Sequence, residues 1–333
     1  MIELAVAGVT FVVSLAVLLR SSDLFTSAAE TLGLSLGVSP FIIGATLVAG
    51  GTSLPELVSS VLAVLAGAPA IVVGNVTGSN VANILLILGI AAIAGRRLRI
   101  DRELVRVDLP LLMASAGFLV VAVWDGRFVW YEGLLALVGL GVYMHFTFAE
   151  EDRLDEVVEE LVTDHVELET VPEEVSLEEA ATEAEVGPRT YLTILVSLVL
   201  VFVAADQLVS SIIAIASTLD VGTEFVAITA VAVGTSLPEI SVSVVAVRKG
   251  EVEIAVGNVL GSNIFNSFAV MGVPSLLGPL TVPGSVRTYA LPVMVLATLL
   301  YYFTTQDREI TGWEGVMLLL LYALFLLNLL LLI

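Results

Sequence analysis

Two glutamates, Glu56 and Glu239, lie within stretches of apolar and hydroxyl-bearing residues. No lysine or arginine occurs between positions 41 and 95 or between 190 and 247. An ionised carboxylate in the middle of a membrane costs at least about 3 kcal/mol when it has no partner. Each carboxylate therefore requires a bound cation, a proton or water, and the presence of the pair favours a cation.

The residues before each glutamate supply the oxygen atoms that hard cations prefer. A threonine and a serine precede the glutamate by four and three positions, so their hydroxyls can share its face of a helix. A proline directly before the glutamate lacks an N–H and crowds the carbonyl four residues earlier, which loosens the helix. We expect this to free backbone carbonyls in the segments 49–52 and 232–235, which begin at Ala49 and Ala232. The residues concerned are Thr52, Ser53 and Pro55 in one stretch and Thr235, Ser236 and Pro238 in the other.

A second motif, G-N-x-x-G-S-N-x-x-N, follows each glutamate stretch. It places Ser79 and Asn83 four residues apart on one helical face, and Ser262 and Asn266 likewise. The glycines of the motif are typical of close helix packing in membranes. The Ser/Asn pairs are candidates for ion ligands or for residues that orient ligands, with interhelical hydrogen bonding as the alternative.

Both motifs occur twice at one constant offset. Glu56 and Glu239 are 239 − 56 = 183 positions apart, and the same offset relates the serines and asparagines of the second motif. The two copies occupy residues 44–89 and 227–272 without a gap. This agreement indicates an internal duplication of a functional unit.

The composition excludes an ordinary soluble domain. Of the 333 residues, 58% are hydrophobic, and the mean hydropathy is +1.02. Apolar runs of about 20 residues recur along the chain, which predicts a polytopic helical membrane protein. There is no cysteine and there are only two histidines, so thiolate and histidine metal centres are not expected. We expect no cofactor and no nucleic-acid partner.

The hydropathy pattern predicts an all-α fold of ten transmembrane helices. The predicted spans are 2–19, 40–66, 69–94, 109–124, 129–148, 191–218, 224–247, 253–277, 289–303 and 313–333. We expect the first to extend as a long tilted helix beyond residue 19. Five spans per repeat is an odd number, so the repeats must have inverted topology, as in many secondary transporters. The predicted organisation is a first repeat at 1–148, an acidic loop at 149–188 and a second repeat at 189–333.

Charge sets the predicted orientation. The net charge is −21, and residues 150–185 carry 16 of the 34 acidic residues. Loops rich in arginine, at 96–106, 248–249 and 308, fall on the same side as the acidic loop, which places that side in the cytoplasm. Both termini are then outside, in a multi-pass protein of the cell membrane. The acidic loop suits a cytoplasm of high salt; we interpret it as a solvated tether, with a regulatory calcium site as the alternative.

The paired motifs GTSLPE and GSNxxN resemble the two α-repeats of the sodium/calcium exchanger family, in the cation/calcium antiporter superfamily. The resemblance implies antiport of about three Na⁺ for one Ca²⁺ by alternating access, a monomer in the lipid bilayer, and sliding first and sixth helices. It also implies that Glu56 and Glu239 bind Ca²⁺ together with the backbone oxygens of Thr52 and Thr235. It implies flanking Na⁺ sites, shared with the two glutamates, at Ser53, Ser79, Ser236, Ser262 and the carbonyls of Ala49 and Ala232, and a central polar ring completed by Asn83 and Asn266.

One position departs from part of that family. Many microbial and potassium-dependent members have Asp where this chain has Asn266. Two carboxylates balance one Ca²⁺ but leave a positive charge with three Na⁺, so the sequence predicts electrogenic exchange without potassium.

A Ca²⁺/H⁺ exchanger is the nearest alternative, although the hydroxyl sets favour sodium. An intramembrane enzyme that uses paired carboxylates is a distant one, because no Ser/His pair or D-x-x-x-D motif is present. A channel is disfavoured, since closely caged carboxylates would hold calcium too tightly for fast flux.

Overall fold

The computed structural model describes residues 2–100, 108–164, 186–218 and 236–332. Within these ranges the chain is mainly helical, and eight helices are long and apolar enough to cross a membrane. They are Glu3–Ser35, Pro40–Leu65, Ala70–Gly95, Trp130–Ala149, Pro188–Ser211, Val252–Ser275, Val286–Thr305 and Gly312–Leu329. The expectation of an all-α polytopic membrane protein is confirmed.

Several membrane-spanning segments are composites of α-helix and short π-helical turns. The first half contains α1 (Ile2–Ser35), α2 (Pro40–Ile43), π1 (Gly44–Val48), α3 (Ala49–Thr52), α4 (Leu54–Leu65), α5 (Ala70–Val81), π2 (Ala82–Ile87), α6 (Leu88–Gly95), β1 (Arg97–Arg99), α7 (Asp108–Ala122), β2 (Arg127–Phe128) and α8 (Trp130–Asp164). The second half contains α9 (Pro188–Thr218), α10 (Leu237–Lys249), α11 (Val252–Phe265), π3 (Asn266–Val270), α12 (Met271–Ser275), β3 (Leu280–Thr281), π4 (Val286–Ala290), α13 (Leu291–Thr305), β4 (Glu309–Thr311) and α14 (Gly312–Leu332).

Ten transmembrane helices remain a prediction. Besides the eight long helices, α7 is a shorter apolar helix, and the predicted span 224–247 is described only from Ser236. Helix α8 continues to Asp164, well past the predicted end of the fifth span at residue 148. The acidic segment from 165 to 185 lies outside the described residues.

The first helix continues far beyond Leu19, as the sequence suggested. Helix α1 has 34 residues, which gives a length of about 51 Å against about 30 Å of membrane hydrocarbon, so it must tilt or project. It packs beside α9, where Leu18 lies in a small apolar cluster with Val201, Ala204 and Leu208. Helix α1 also contacts the core, because its Phe25 and Ala29 lie in the main apolar cluster.

Burial separates the core helices from the peripheral ones. In Val252–Ser275 and Ala70–Gly95 the most apolar stretch is 94% and 78% buried, against 22% in Glu3–Ser35. The core helices approach at glycines: a Cβ at Gly261 would lie 2.1 Å from the Ala45 carbonyl oxygen. Backbone thus meets backbone where π1 crosses α11, as small residues permit in membrane helix packing.

Two small antiparallel sheets join the halves of the chain, and the sequence did not predict them. Strand β1 pairs with β4, with Leu98 opposite Ile310, and β2 pairs with β3, with Arg127 opposite Thr281. The two pairings are related by the duplication, because 98 + 183 = 281 and 310 − 183 = 127. Helix α7 separates β1 from β2, so the sheets lie at opposite ends of that helix.

Candidate ion-binding site

Each glutamate lies three residues after a serine that interrupts or precedes its helix. Ser53, with φ −86° and ψ 4°, separates α3 from α4, and Ser236 adopts nearly the same conformation at the start of α10. Glu56 and Glu239 then occupy the first turn of α4 and α10. The N-terminus of a helix carries partial positive charge, which favours a carboxylate at this position.

In the first repeat, the helix break leaves fewer backbone carbonyls free than Pro55 predicts. Ser53 donates its backbone N–H to the Ala49 carbonyl (3.0 Å), and Leu57 donates to the Ser53 carbonyl (3.2 Å). Neither of these bonds uses the carbonyl of Thr52, and Pro55 has no N–H for the Gly51 carbonyl four residues earlier. The Ala49 carbonyl, expected to be free, accepts the bond from Ser53 and also lies 3.4 Å from the Thr52 hydroxyl. Ala232 and Thr235 lie outside the described residues.

The two carboxylates are buried, and most of their oxygens lack a protein partner. Glu56 and Glu239 are each 1% exposed. Among the residues that the structure describes, no group donates to either carboxylate oxygen of Glu56 or to Oε2 of Glu239. Burial of a polar atom without a partner costs free energy, and far more when the atom is charged. These oxygens are therefore available to a cation.

One direct contact joins the site residues of the two repeats. Ser53 Oγ donates to Glu239 Oε1 at 3.4 Å, although Ser53 was predicted to share the face of Glu56. The equivalent serine, Ser236, is fully buried, and its hydroxyl has no partner among the described residues. The hydroxyl of one repeat thus faces the carboxylate of the other.

The asparagines of the second motif lie in π-helical turns. Asn83 belongs to π2, Asn266 is the first residue of π3, and each is 1% exposed. In the described part of the chain, neither amide oxygen nor amide nitrogen has a hydrogen-bond partner. Ser79 and Ser262 are buried one turn earlier, at 4% and 0% exposure. π-Turns within α-helices occur often at functional sites, and these amides remain available to a ligand.

Three further buried polar residues belong to this region and were not singled out as site residues. Asn258 of α11 bonds to Thr52, Ser262 and Ser243. Asn80 donates to the Asn263 carbonyl (3.2 Å), and thereby links α5 to α11. Asn80 and Asn263 occupy the same place in the two copies, as 263 − 80 = 183, so the duplication that identified the glutamates could have identified them too.

The donor set has few charged groups. No group of three or more histidine, aspartate and glutamate side chains that could hold a metal occurs in the described ranges. A cation here would be held by two carboxylates together with hydroxyl, amide and carbonyl oxygens. Such neutral oxygen ligands suit sodium and calcium, while transition metals favour imidazole and thiolate.

The fold and the site together define an ion-transporting membrane protein. Internal duplication, broken helices and polar groups buried at the meeting of the copies are the features of secondary transporters. Comparison with known proteins specifies the class further. A family model described as "Sodium/calcium exchanger protein" matches residues 6–149 and 189–331.

Individual relatives agree along nearly the whole chain. Sodium/calcium exchanger MaX1 of Methanosarcina acetivorans is 32% identical in an alignment of 330 positions that covers 93% of this chain and 94% of MaX1. Inner membrane protein YrbG of Escherichia coli is 31% identical in an alignment of 315 positions that covers 93% of this chain and 92% of YrbG. The sodium-calcium exchanger NCX_Mj, soaked with 2.5 mM Na⁺ and 10 mM Sr²⁺, superposes with a TM-score of 0.76 at 29% identity, over 96% of this chain and 98% of that one.

The chain belongs to the sodium/calcium exchanger family. Members of this family are transporters, so the alternative of an intramembrane enzyme is rejected. The predicted class of a multi-pass membrane antiporter is confirmed, and the homologues support exchange of cations for Ca²⁺.

Proposed function

We propose that this protein exchanges Na⁺ for Ca²⁺ across the cell membrane by alternating access. The observation that carries the proposal is the burial of Glu56 and Glu239, from different repeats, with unpartnered carboxylate oxygens. The bond from Ser53 to Glu239 supports it, because that bond brings the two repeats together at the site.

The proposed ligands follow from the residue types. Glu56 and Glu239 bind Ca²⁺ together with the backbone oxygens of Thr52 and Thr235. Na⁺ ions bind beside them, at hydroxyls and at the second lone pair of carbonyls. These sodium ligands are Ser53, Ser79, Ser236, Ser262, Ala49 and Ala232. Asn83 and Asn266 complete the polar ring between the sodium sites.

Charge balance leads to electrogenic exchange. Two carboxylates neutralise one Ca²⁺, whereas about three Na⁺ on the same carboxylates leave about one positive charge in excess. Because Asn83 and Asn266 are amides, the proposed site has only two carboxylates. It has no further negative charge to balance an additional K⁺, which argues against potassium transport. The human sodium/potassium/calcium exchanger 4 is 35% identical over only 117 residues, 19% of its length, so the similarity gives little support for potassium transport.

The proposed topology has inverted repeats at 1–148 and 189–333. The arginine-rich loops and the acidic loop at 149–188 lie in the cytoplasm, and both termini lie outside. The two small sheets support the repeat organisation. Each sheet pairs a strand of one repeat with a strand of the other, and the offset of the duplication relates the two pairings. We propose that the monomer is the transporting unit.

Calcium uptake into proteoliposomes tests the proposal. We expect uptake into vesicles loaded with Na⁺, and none into vesicles loaded with K⁺ or choline. An inside-positive potential should accelerate uptake, because net positive charge leaves as Ca²⁺ enters. Uptake that ignores Na⁺ and follows a pH gradient would contradict the proposal and identify a Ca²⁺/H⁺ exchanger.

A further inference from the structure

Asn258 connects three elements that carry site residues. Thr52 of α3 and Ser262 of α11 donate to its amide oxygen at 3.2 and 3.4 Å, and its amide nitrogen donates to Ser243 of α10 at 2.9 Å. All four side chains are fully buried. Ser243 lies one turn after Glu239, so this network joins the element of that glutamate to the hydroxyls on two neighbouring elements.

Asn258 offers one acceptor to two hydroxyl protons. A serine or threonine hydroxyl has one proton and two lone pairs. When the Ser262 proton is donated to Asn258, the lone pairs of this proposed sodium ligand point away from Asn258 and are left for a cation. Thr52 Oγ1 is also 3.1 Å from the Val48 carbonyl oxygen and 3.4 Å from the Ala49 carbonyl oxygen, so Asn258 competes with the backbone for the Thr52 proton. The bond to Ser243 holds the amide in the orientation that accepts both protons.

The equivalent residues of the first repeat make no such network. Asn75 is the counterpart of Asn258, since 258 − 75 = 183, and its half-buried side chain bonds to nothing in the described part of the chain. Ser60, the counterpart of Ser243, is 1% exposed, and its hydroxyl has no partner there either. Thr235, the counterpart of Thr52, lies outside the described residues.

A second pair of contacts has the same asymmetry. Ser53 donates to Glu239, but the equivalent pair, Ser236 and Glu56, makes no bond. Two copies of one sequence therefore hold the same polar residues in two arrangements. In inverted-repeat transporters, alternating access moves one repeat or bundle against the other around a fixed site.

We propose that Asn258 is a positioning residue for the ion site in the state described, and that Asn75 takes over this role, with Ser60, in the state open to the opposite face. The inference rests on the proposed exchange and adds which residues orient the ligands in each state. It makes the two asparagines equivalent in sequence but dedicated to opposite faces of the membrane.

Side-resolved transport kinetics test the inference. Right-side-out and inside-out membrane vesicles from the same cells give the half-saturating Na⁺ concentration and the maximal rate at each face. We expect Asn258→Ala to raise the half-saturating Na⁺ concentration about fivefold at one face, the size expected for one buried hydrogen bond, and less than about twofold at the other. Asn75→Ala should give the reverse pattern.

Matched variants separate positioning from folding. Ser243→Ala removes only the hydroxyl that accepts the bond from the Asn258 amide nitrogen. It should therefore raise the half-saturating Na⁺ concentration at the same face as Asn258→Ala, by a smaller factor. This variant still tests the inference if Asn258→Ala does not fold. Asn328→Ala, in α14, removes an amide that bonds within its own helix and should leave both faces unchanged. A purely structural defect would lower the maximal rate at both faces without a change in half-saturation.

Two results would overturn the inference. Equal shifts at both faces in the Asn258 and Asn75 variants would exclude the exchange of roles. Unchanged half-saturation at both faces in Asn258→Ala and Ser243→Ala would exclude positioning. Failure of the unmodified protein to exchange Na⁺ for Ca²⁺ would instead refute the proposed function itself, so the two failures are distinguishable.

Discussion

Two amide side chains belong to the proposed ion site at positions where an acid would change its charge. Asn83 and Asn266 are as deeply buried as the glutamates, and their amide oxygens and nitrogens have no partner among the described residues. A neutral amide offers an oxygen ligand without a proton to bind or release. The amide pair would therefore limit the proposed site to two negative charges.

Asn266→Asp tests the role of this neutrality. A third carboxylate should lower the half-saturating Ca²⁺ concentration about tenfold, because opposite charges about 4 Å apart attract by about 1 kcal/mol or more per pair of unit charges. It should also make uptake fall at acidic pH. Asn83→Asp, the equivalent change in the other repeat, should act in the same direction. Calcium uptake measured from pH 6 to 9 checks this; unchanged affinity and pH profile in both variants would remove the two amides from the site.

At the scale of elements, the crossing of π1 and α11 positions the first-repeat ligands against the second repeat. Gly257 and Gly261 allow this approach: a Cβ at either would lie within 2.4 Å of a carbonyl oxygen of the facing segment. Tyr143 reinforces the crossing by donating to the Ala45 carbonyl at 3.3 Å. The glycines of the second motif are therefore packing residues in this repeat.

Gly261→Ala should destabilise the protein. The added methyl group meets backbone that cannot rotate away, and such overpacking costs about 1–3 kcal/mol. We expect a fall of several degrees in the melting temperature in detergent. Gly141→Ala is the matched control, because Gly141 is exposed in α8 and a Cβ there meets nothing within 4 Å. Equal melting temperatures for the two variants would contradict the close crossing.

At the junction between α10 and α11, Glu251 forms a pair of acids with Glu30 of α1. Burial, and next the nearby carboxylate of Glu30, raise the pKa of Glu251 to about 7, and Lys249 acts in the opposite direction. Lys249 itself pairs with Asp23 of α1 at 2.8 Å. The junction thus joins α1 to the core through titratable groups.

Glu251→Gln tests the acid pair. Between about pH 4.5 and 7 the folded protein holds a proton that the unfolded chain has lost, so the stability of the unmodified protein falls as pH rises through this window. The variant should therefore melt at a higher temperature than the unmodified protein at pH 8, and the advantage should vanish near pH 4.5. Melting curves in detergent across this range measure it. A constant difference at all pH values would contradict the raised pKa.

At the scale of the whole molecule, the duplication identified most residues of the proposed site and part of the fold. Glu56, Glu239 and the Ser/Asn pairs were evident because the same polar residues recur at one offset in apolar sequence. The sheets were not evident, since strands of two or three residues have no periodicity to detect. The contact of Ser53 with Glu239 was also hidden, because helical spacing relates residues within one element and says nothing of which repeat they face.

Equilibrium Ca²⁺ binding to the purified protein tests the central claim most directly, because it needs neither a gradient nor a particular conformation. The account predicts a saturable Ca²⁺ site that Na⁺ displaces. Glu56→Gln and Glu239→Gln should each weaken binding at least about thirtyfold, since removal of one charge from a buried, balanced set costs about 2 kcal/mol or more. Glu309→Gln, a matched change at an exposed ion pair with Arg97, should bind like the unmodified protein. Unchanged Ca²⁺ affinity in both buried variants would contradict the assignment of Glu56 and Glu239 as the site.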